Sequence, residues 1–115
     1  NSKLRKFELI APEYLFLEIS EHWNKLLEAT KLSFSDLSEI FDFIKDEIKF
    51  IPISEFKRFE YEASKTSPDP DDVPYFALAL KFQCAILSGD KILKEQSVVK
   101  VISPDEAVKV LKEAE

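Results

Sequence analysis

Apolar residues follow two rhythms along this chain, one of two residues and one of three to four, and their alternation predicts the elements. Phe7 to Ile10 reads as a short strand closed by Ala11 and Pro12. From Glu13, the residues Leu15, Ile19, Trp23, Leu26 and Leu27 recur at helical spacing to about Ala29. Ser33 with Asp36 three positions on forms a capping-box pattern, and Phe34, Leu37, Ile40, Phe41 and Ile44 mark the buried face of the helix that follows. Lys49 to Ile53, with Pro52 inside it, predicts a short strand. Ser54 then caps a helix to about Ser64 whose Phe56 and Phe59 face inward.

A breaker-rich stretch, Ser67-Pro68-Asp69-Pro70-Asp71-Asp72, separates this first part from the rest. Pro74 suits the first turn of a helix, and Tyr75 to Cys84 is apolar nearly all round, as a helix buried on most sides must be. Ala85 to Leu87 predicts a buried strand ended by Ser88-Gly89-Asp90, Ile92 to Gln96 a turn or short helix, and Ser97 to Ile102 a β-branched strand. Ser103, Pro104 and Glu106 open a last helix that runs to the end. Strands alternating with helices define an α/β class, a parallel β-sheet flanked by helices.

The chain has 115 residues, 45% hydrophobic and 33% charged, which fits one domain spanning residues 1–115. A domain of this size buries roughly 60–70% of the surface its unfolded chain exposes, so ten Phe supply a core without disulfides. The lone Cys84 points to a reducing, cytoplasmic setting. No apolar run is long enough for a membrane span, and no secretory or lipidation signal is present. A net charge of -6 is the wrong sign for holding nucleic acid by charge neutralisation alone, but it leaves room for an acidic site that works through bound cations. The chain starts at Asn1 and contains no Met, so a segment at the N-terminus is expected to be absent.

Candidate chemistry is acidic. Asp90 directly follows a predicted strand, and in open parallel sheets functional groups gather at the carboxyl ends of strands. Gly89 before it would let the backbone turn sharply and aim the carboxylate; the structural alternative is an Asp that caps the next short helix. Asp69, Asp71 and Asp72 crowd three carboxylates before a buried helix. Such a group either draws a hard cation or caps free N–H groups. An EF-hand is excluded, since counting from Asp69 places Pro74 where Gly is needed and Leu80 where Glu is needed. Glu18, between Leu17 and Ile19, is either a site carboxylate or the polar edge of an amphipathic helix. His22 and Cys84 read as solvated or packed residues. Phosphate-binding glycine loops, serine nucleophile elbows and zinc spacings are all missing from the sequence.

Three segments in order, Ala11-Pro12-Glu13-Tyr14-Leu15-Phe16-Leu17-Glu18-Ile19, Asp69-Pro70-Asp71-Asp72-Val73-Pro74-Tyr75-Phe76-Ala77-Leu78-Ala79-Leu80 and Leu87-Ser88-Gly89-Asp90-Lys91, resemble the PIN-domain nucleases over essentially the whole chain. The resemblance implies a metal-dependent endoribonuclease that holds Mg²⁺ or Mn²⁺ at the top of a parallel sheet. Glu18, Asp72 and Asp90 match the family's acidic, metal-holding positions, with Asp69 accessory, Ser88 a supporting hydroxyl and Lys91 a substrate contact. It further implies RNA as substrate, a homodimer or higher oligomer, and the toxin role of a toxin–antitoxin pair with an antitoxin protein as partner. One departure stands out. The family opens with a central strand bearing an Asp, whereas Asn1 to Lys6 hold no acidic residue, so that strand is expected to have been truncated or lost. The competing readings are a PIN-like module that binds RNA or protein without catalysis, and a small α/β interaction domain whose acidic loop only caps a helix.

Overall fold

The computed structural model of the protein describes residues 8–113, with the side chains there except those of residues 44 and 110–113. The expected loss of an opening strand, and the Phe7 start of the first predicted strand, fall outside the described residues. The chain divides into two compact units, Leu9–Pro52 and a second that takes in everything from Ile53 onward.

In the first unit, strand β1 (Leu9–Pro12) pairs in parallel with β2 (Ile48–Ile51), Leu9 opposite Ile48 and Pro12 opposite Ile51. A parallel pair needs a long crossover, and three helices provide it: α1 (Glu13–Glu21), α2 (Trp23–Thr30) and α3 (Phe34–Glu47). The single helix expected from Glu13 to Ala29 is broken at His22, whose φ of -108° and ψ of 22° leave the helical region. Periodicity cannot reveal this break, because the i to i−4 pattern continues through it: His22 N–H donates to Glu18 C=O and Leu26 N–H to His22 C=O, each at 3.0 Å. The break lies between Phe16 and Trp23, whose rings both stand 5.5 Å from that of Phe41, and Phe50 closes on Phe16 at 5.8 Å. The predicted cap of α3 is present, with Ser33 Oγ accepting the Asp36 N–H at 3.0 Å. Strand β2 stops at Ile51, short of the expected Ile53, since Pro52 has no N–H to donate to a ladder.

The second unit begins with two 3₁₀ turns, Ile53–Glu55 and Lys57–Phe59, before α4 (Glu60–Thr66), in place of one helix from Ser54. Phe56 sits at the joint with φ -128° and is buried, so the chain gives up helical regularity there to place one aromatic ring inside. Helix α5 (Val73–Phe82) buries four consecutive residues, Phe76 to Ala79, which matches its all-round apolar sequence. It packs on α4, where the fully buried Ala63 offers no bulk. The helix ends at Phe82, with Gln83 capping it in the left-handed region (φ 53°), two residues short of the expected end at Cys84. Strand β3 (Ile86–Leu87) then pairs in parallel with β4 (Val101–Ile102), joined by a 3₁₀ helix, Lys91–Glu95.

β4 is far shorter than the predicted Ser97 to Ile102. The Gln96 amide accounts for the difference: its Oε1 accepts the N–H groups of Val98 (3.0 Å) and Val99 (2.8 Å), and its Nε2 donates to the carbonyls of Leu93 (2.9 Å) and Val99 (2.7 Å). Backbone groups that a strand would pair are curled around one side chain. Helix α6 (Pro104–Glu113) starts with the full reciprocal box, Ser103 Oγ accepting the Glu106 N–H and Glu106 Oε1 the Ser103 N–H. The described strands thus form two two-stranded parallel sheets amid a majority of helix, a mixed α/β fold. Among the described residues no helix is long and apolar enough to cross a membrane.

Candidate acidic site

Asp90 lies three residues beyond the end of β3, on an exposed turn that two hydrogen bonds hold. Ser88 Oγ accepts the Asp90 N–H at 3.0 Å, and Asp90 Oδ1 accepts the Ile92 N–H at 3.1 Å, capping the Lys91–Glu95 helix. Of the two sequence readings of Asp90, the capping one is observed: its Oδ1 caps the Lys91–Glu95 helix, and that bond holds the carboxylate three residues beyond β3. Gly89 does not contribute as expected. Its φ is not positive, and a Cβ placed there would meet no atom within 4 Å, so the turn is built by Ser88 and Asp90 and not by glycine's freedom.

In the acidic loop the capping falls on Asp69. Its Oδ1 accepts the Asp71 N–H at 2.9 Å and its carbonyl takes a 2.6 Å bond from Ser67 Oγ, so the 3₁₀ turn Pro70–Asp72 is anchored at its start. Asp72 occupies the N-cap position of α5, yet its carboxylate makes no capping hydrogen bond there. Asp72 is half-buried, the most enclosed of the three loop aspartates. The helix-capping alternative for Asp72 thus lacks the bond that would define it.

Glu18 is half-buried on α1, in the Leu9–Pro52 unit, while Asp69, Asp72, Ser88, Asp90 and Lys91 belong to the other. Lys91 is exposed, and no ion pair engages it among the described residues. Lys94 differs, because its ammonium bonds to Glu106 Oε1. That bond, with the Ser103 N–H and hydroxyl, holds the Glu106 carboxyl down to about 2. Sequence gave no sign of this pair, which joins residues on separate elements. Cys84 is exposed, but partial desolvation pushes its thiol above the ordinary range, which leaves little thiolate at neutral pH.

Among the described residues no three His, Cys, Asp or Glu side chains are grouped so that they could hold a metal ion. Mg²⁺ seldom uses an all-protein cage; it is commonly held by one or two carboxylates, with water and substrate phosphates completing the shell. Asp72 and Asp90 supply oxygen donors of the hard type that such a cation takes.

Short parallel strands, a proline- and aspartate-rich loop before a buried helix, and an aspartate capping a turn beyond a strand end place the chain in a class of small mixed α/β domains. Within that class the chain matches the PIN domain family model over residues 2–111, and it belongs to that family. No curated protein and no solved structure matches it.

Proposed function

We propose that the chain is one PIN-type domain over residues 1–115 that acts as a metal-dependent endoribonuclease, with Mg²⁺ or Mn²⁺ as its cation. The observation that carries this reading is the family match over residues 2–111 together with Asp90 fixed at the carboxyl end of β3. Asp72 and Asp90 would hold the cation, with Glu18 as the third acidic position and Asp69 accessory. When bound, the cation supplies charge to the phosphodiester oxygens and acidity to water. The Ser88 hydroxyl orients Asp90 by accepting its N–H, and Lys91 offers an ammonium to an RNA phosphate. A cytoplasmic toxin that pairs with an antitoxin protein and forms a homodimer or higher oligomer completes the reading.

A second reading has its own support. It is a PIN-like module that binds RNA or protein without cutting, since the family match fixes a fold that can serve with or without catalysis. One experiment separates the two: incubation of end-labelled RNA with the protein in Mn²⁺, in Mg²⁺ and in EDTA, for the natural sequence and for Asp72→Asn and Asp90→Asn. The nuclease reading expects cleavage that EDTA abolishes and that each variant reduces by about 10²-fold or more. Absence of cleavage with either cation, or cleavage unchanged by both substitutions, overturns it in favour of the binding module.

A further inference from the structure

Helix α3 carries an apolar stripe that its own unit leaves uncovered. Ile40 and Phe43 are 46% and 55% exposed, and with Leu32 from the preceding loop they line an open groove of about 450 Å³. The remaining lining residues are acidic, Asp36 and Glu39, and the helix ends on Asp46 and Glu47. The only base of α3 does not neutralise this face. Lys45 Nζ is 3.3 Å from Asp42 and 5.2 Å from the centre of the Phe41 ring, on the side where Phe41 meets Phe16 and Trp23.

We infer that this groove docks a basic amphipathic helix of a partner protein. Apolar side chains at i, i+3 or i+4 and i+7 would fill the Leu32–Ile40–Phe43 channel, and flanking Lys or Arg would meet Asp36 and Glu39. Charge decides the occupant. A second copy using the same patch would set Asp36 and Glu39 against their own equivalents, which is repulsive in a two-fold contact. A small molecule finds only one helix and a loop as walls and would keep most of its surface in water, unlike the enclosed setting that such ligands require. A long basic helix buries the stripe by lying along it.

The inference is independent of RNA cleavage, and its test does not use the acidic site. A labelled synthetic helix with Leu at i, i+3, i+4 and i+7 and Lys at the flanking positions is titrated by fluorescence anisotropy against the full chain. Two control peptides accompany it, one with Glu in place of Lys and one of the same composition in scrambled order. Saturable binding of the basic helix alone is expected, weakened about tenfold or more by Phe43→Ser and by the pair Asp36→Lys and Glu39→Lys. The charge-reversed pair should in turn take up the Glu-bearing peptide. Phe43→Ser is at an exposed side chain and should leave the melting temperature at the level of the natural sequence. Asp36→Lys, in the first turn of α3, should lower it through the helix dipole, so binding of the charge-reversed pair is read at a temperature where circular dichroism shows it folded. Equal binding of a control peptide, no saturable binding of the basic helix, or self-association of the chain that Phe43→Ser abolishes would each overturn the proposal.

Discussion

Asp90 combines a structural and a chemical task in one carboxylate, and substitutions can take them apart. Asp90→Ala removes the acceptor that caps the Lys91–Glu95 helix through Ile92 N–H, a loss of about 0.5–2 kcal/mol for caps in general. The capped helix is five residues long and exposed on most of its surface, so about 1 kcal/mol is the fitting magnitude. For 115 residues, an unfolding entropy of about 2 cal/mol/K per residue turns that into a fall of about 4 °C in Tm. Asp90→Asn keeps an oxygen where Oδ1 stands and loses only the attraction of a charge to the helix start, so its fall should stay below about 2 °C. Cleavage should respond in the opposite manner, lost as fully in Asn as in Ala, because only the anion serves a cation. Circular dichroism melts and the RNA assay on the same preparations give both quantities. If Asn melts as low as Ala, the capping account of this turn is wrong. Full cleavage by Asn would remove Asp90 from the chemistry.

Backbone conformation supplies a second prediction. Gln83→Gly, at φ 53°, should raise stability by about 0.5–1 kcal/mol by relieving a left-handed residue, and Gly89→Ala should be neutral or stabilising, which thermal melts will show. Phe76, wholly buried in α5, should cost about 3–5 kcal/mol on substitution to Ala, a large share of what a domain of this size has, read from urea titration. The Glu106 carboxyl is held at about 2 in the folded protein against an ordinary 4.5, so the folded state binds its proton less readily than the unfolded one. Its contribution is therefore complete above pH 4.5 and declines as pH falls toward 2; Glu106→Gln should flatten the acid limb of stability over that window. Because burial raises the Cys84 thiol, alkylation by iodoacetamide at neutral pH should run slower than for free cysteine, and an equal rate would contradict the desolvation.

Local signals fixed helix starts but not the buried face of α3, where Phe34 and Ile40 are exposed against expectation. Ser33 and Ser103 cap where their spacing to Asp36 and Glu106 said they would, since capping is settled within a single turn of chain. The apolar run of α5 predicted its burial for the same reason. Features that depend on distant partners were not legible. His22 interrupts a helix without disturbing its period, Phe56 breaks another to reach the interior, and Gln96 competes with a sheet that β-branched residues favour. For the site, Asp90 was readable as cap and candidate alike, and the structure shows the cap. Asp69 and Asp72 could not be ranked from spacing, because neighbouring aspartates have equal claim on the next free N–H groups until hydrogen bonds show that Asp69 caps the 3₁₀ turn Pro70–Asp72.

The Gln96 amide has a consequence for how this sheet can vary in length. A backbone that leaves a ladder must satisfy its N–H and C=O groups elsewhere, and here one planar side chain does so for Leu93, Val98 and Val99 together. The boundary of β4 is thus a contest between a two-sided amide and the edge of β3, decided at a single position. Any residue at 96 without both a donor and an acceptor tips that contest, setting Val98 and Val99 free to look for hydrogen bonds along the strand direction. The border between loop and sheet in this unit is in that sense a one-residue setting, open to being moved by mutation without any change in the strand sequence itself.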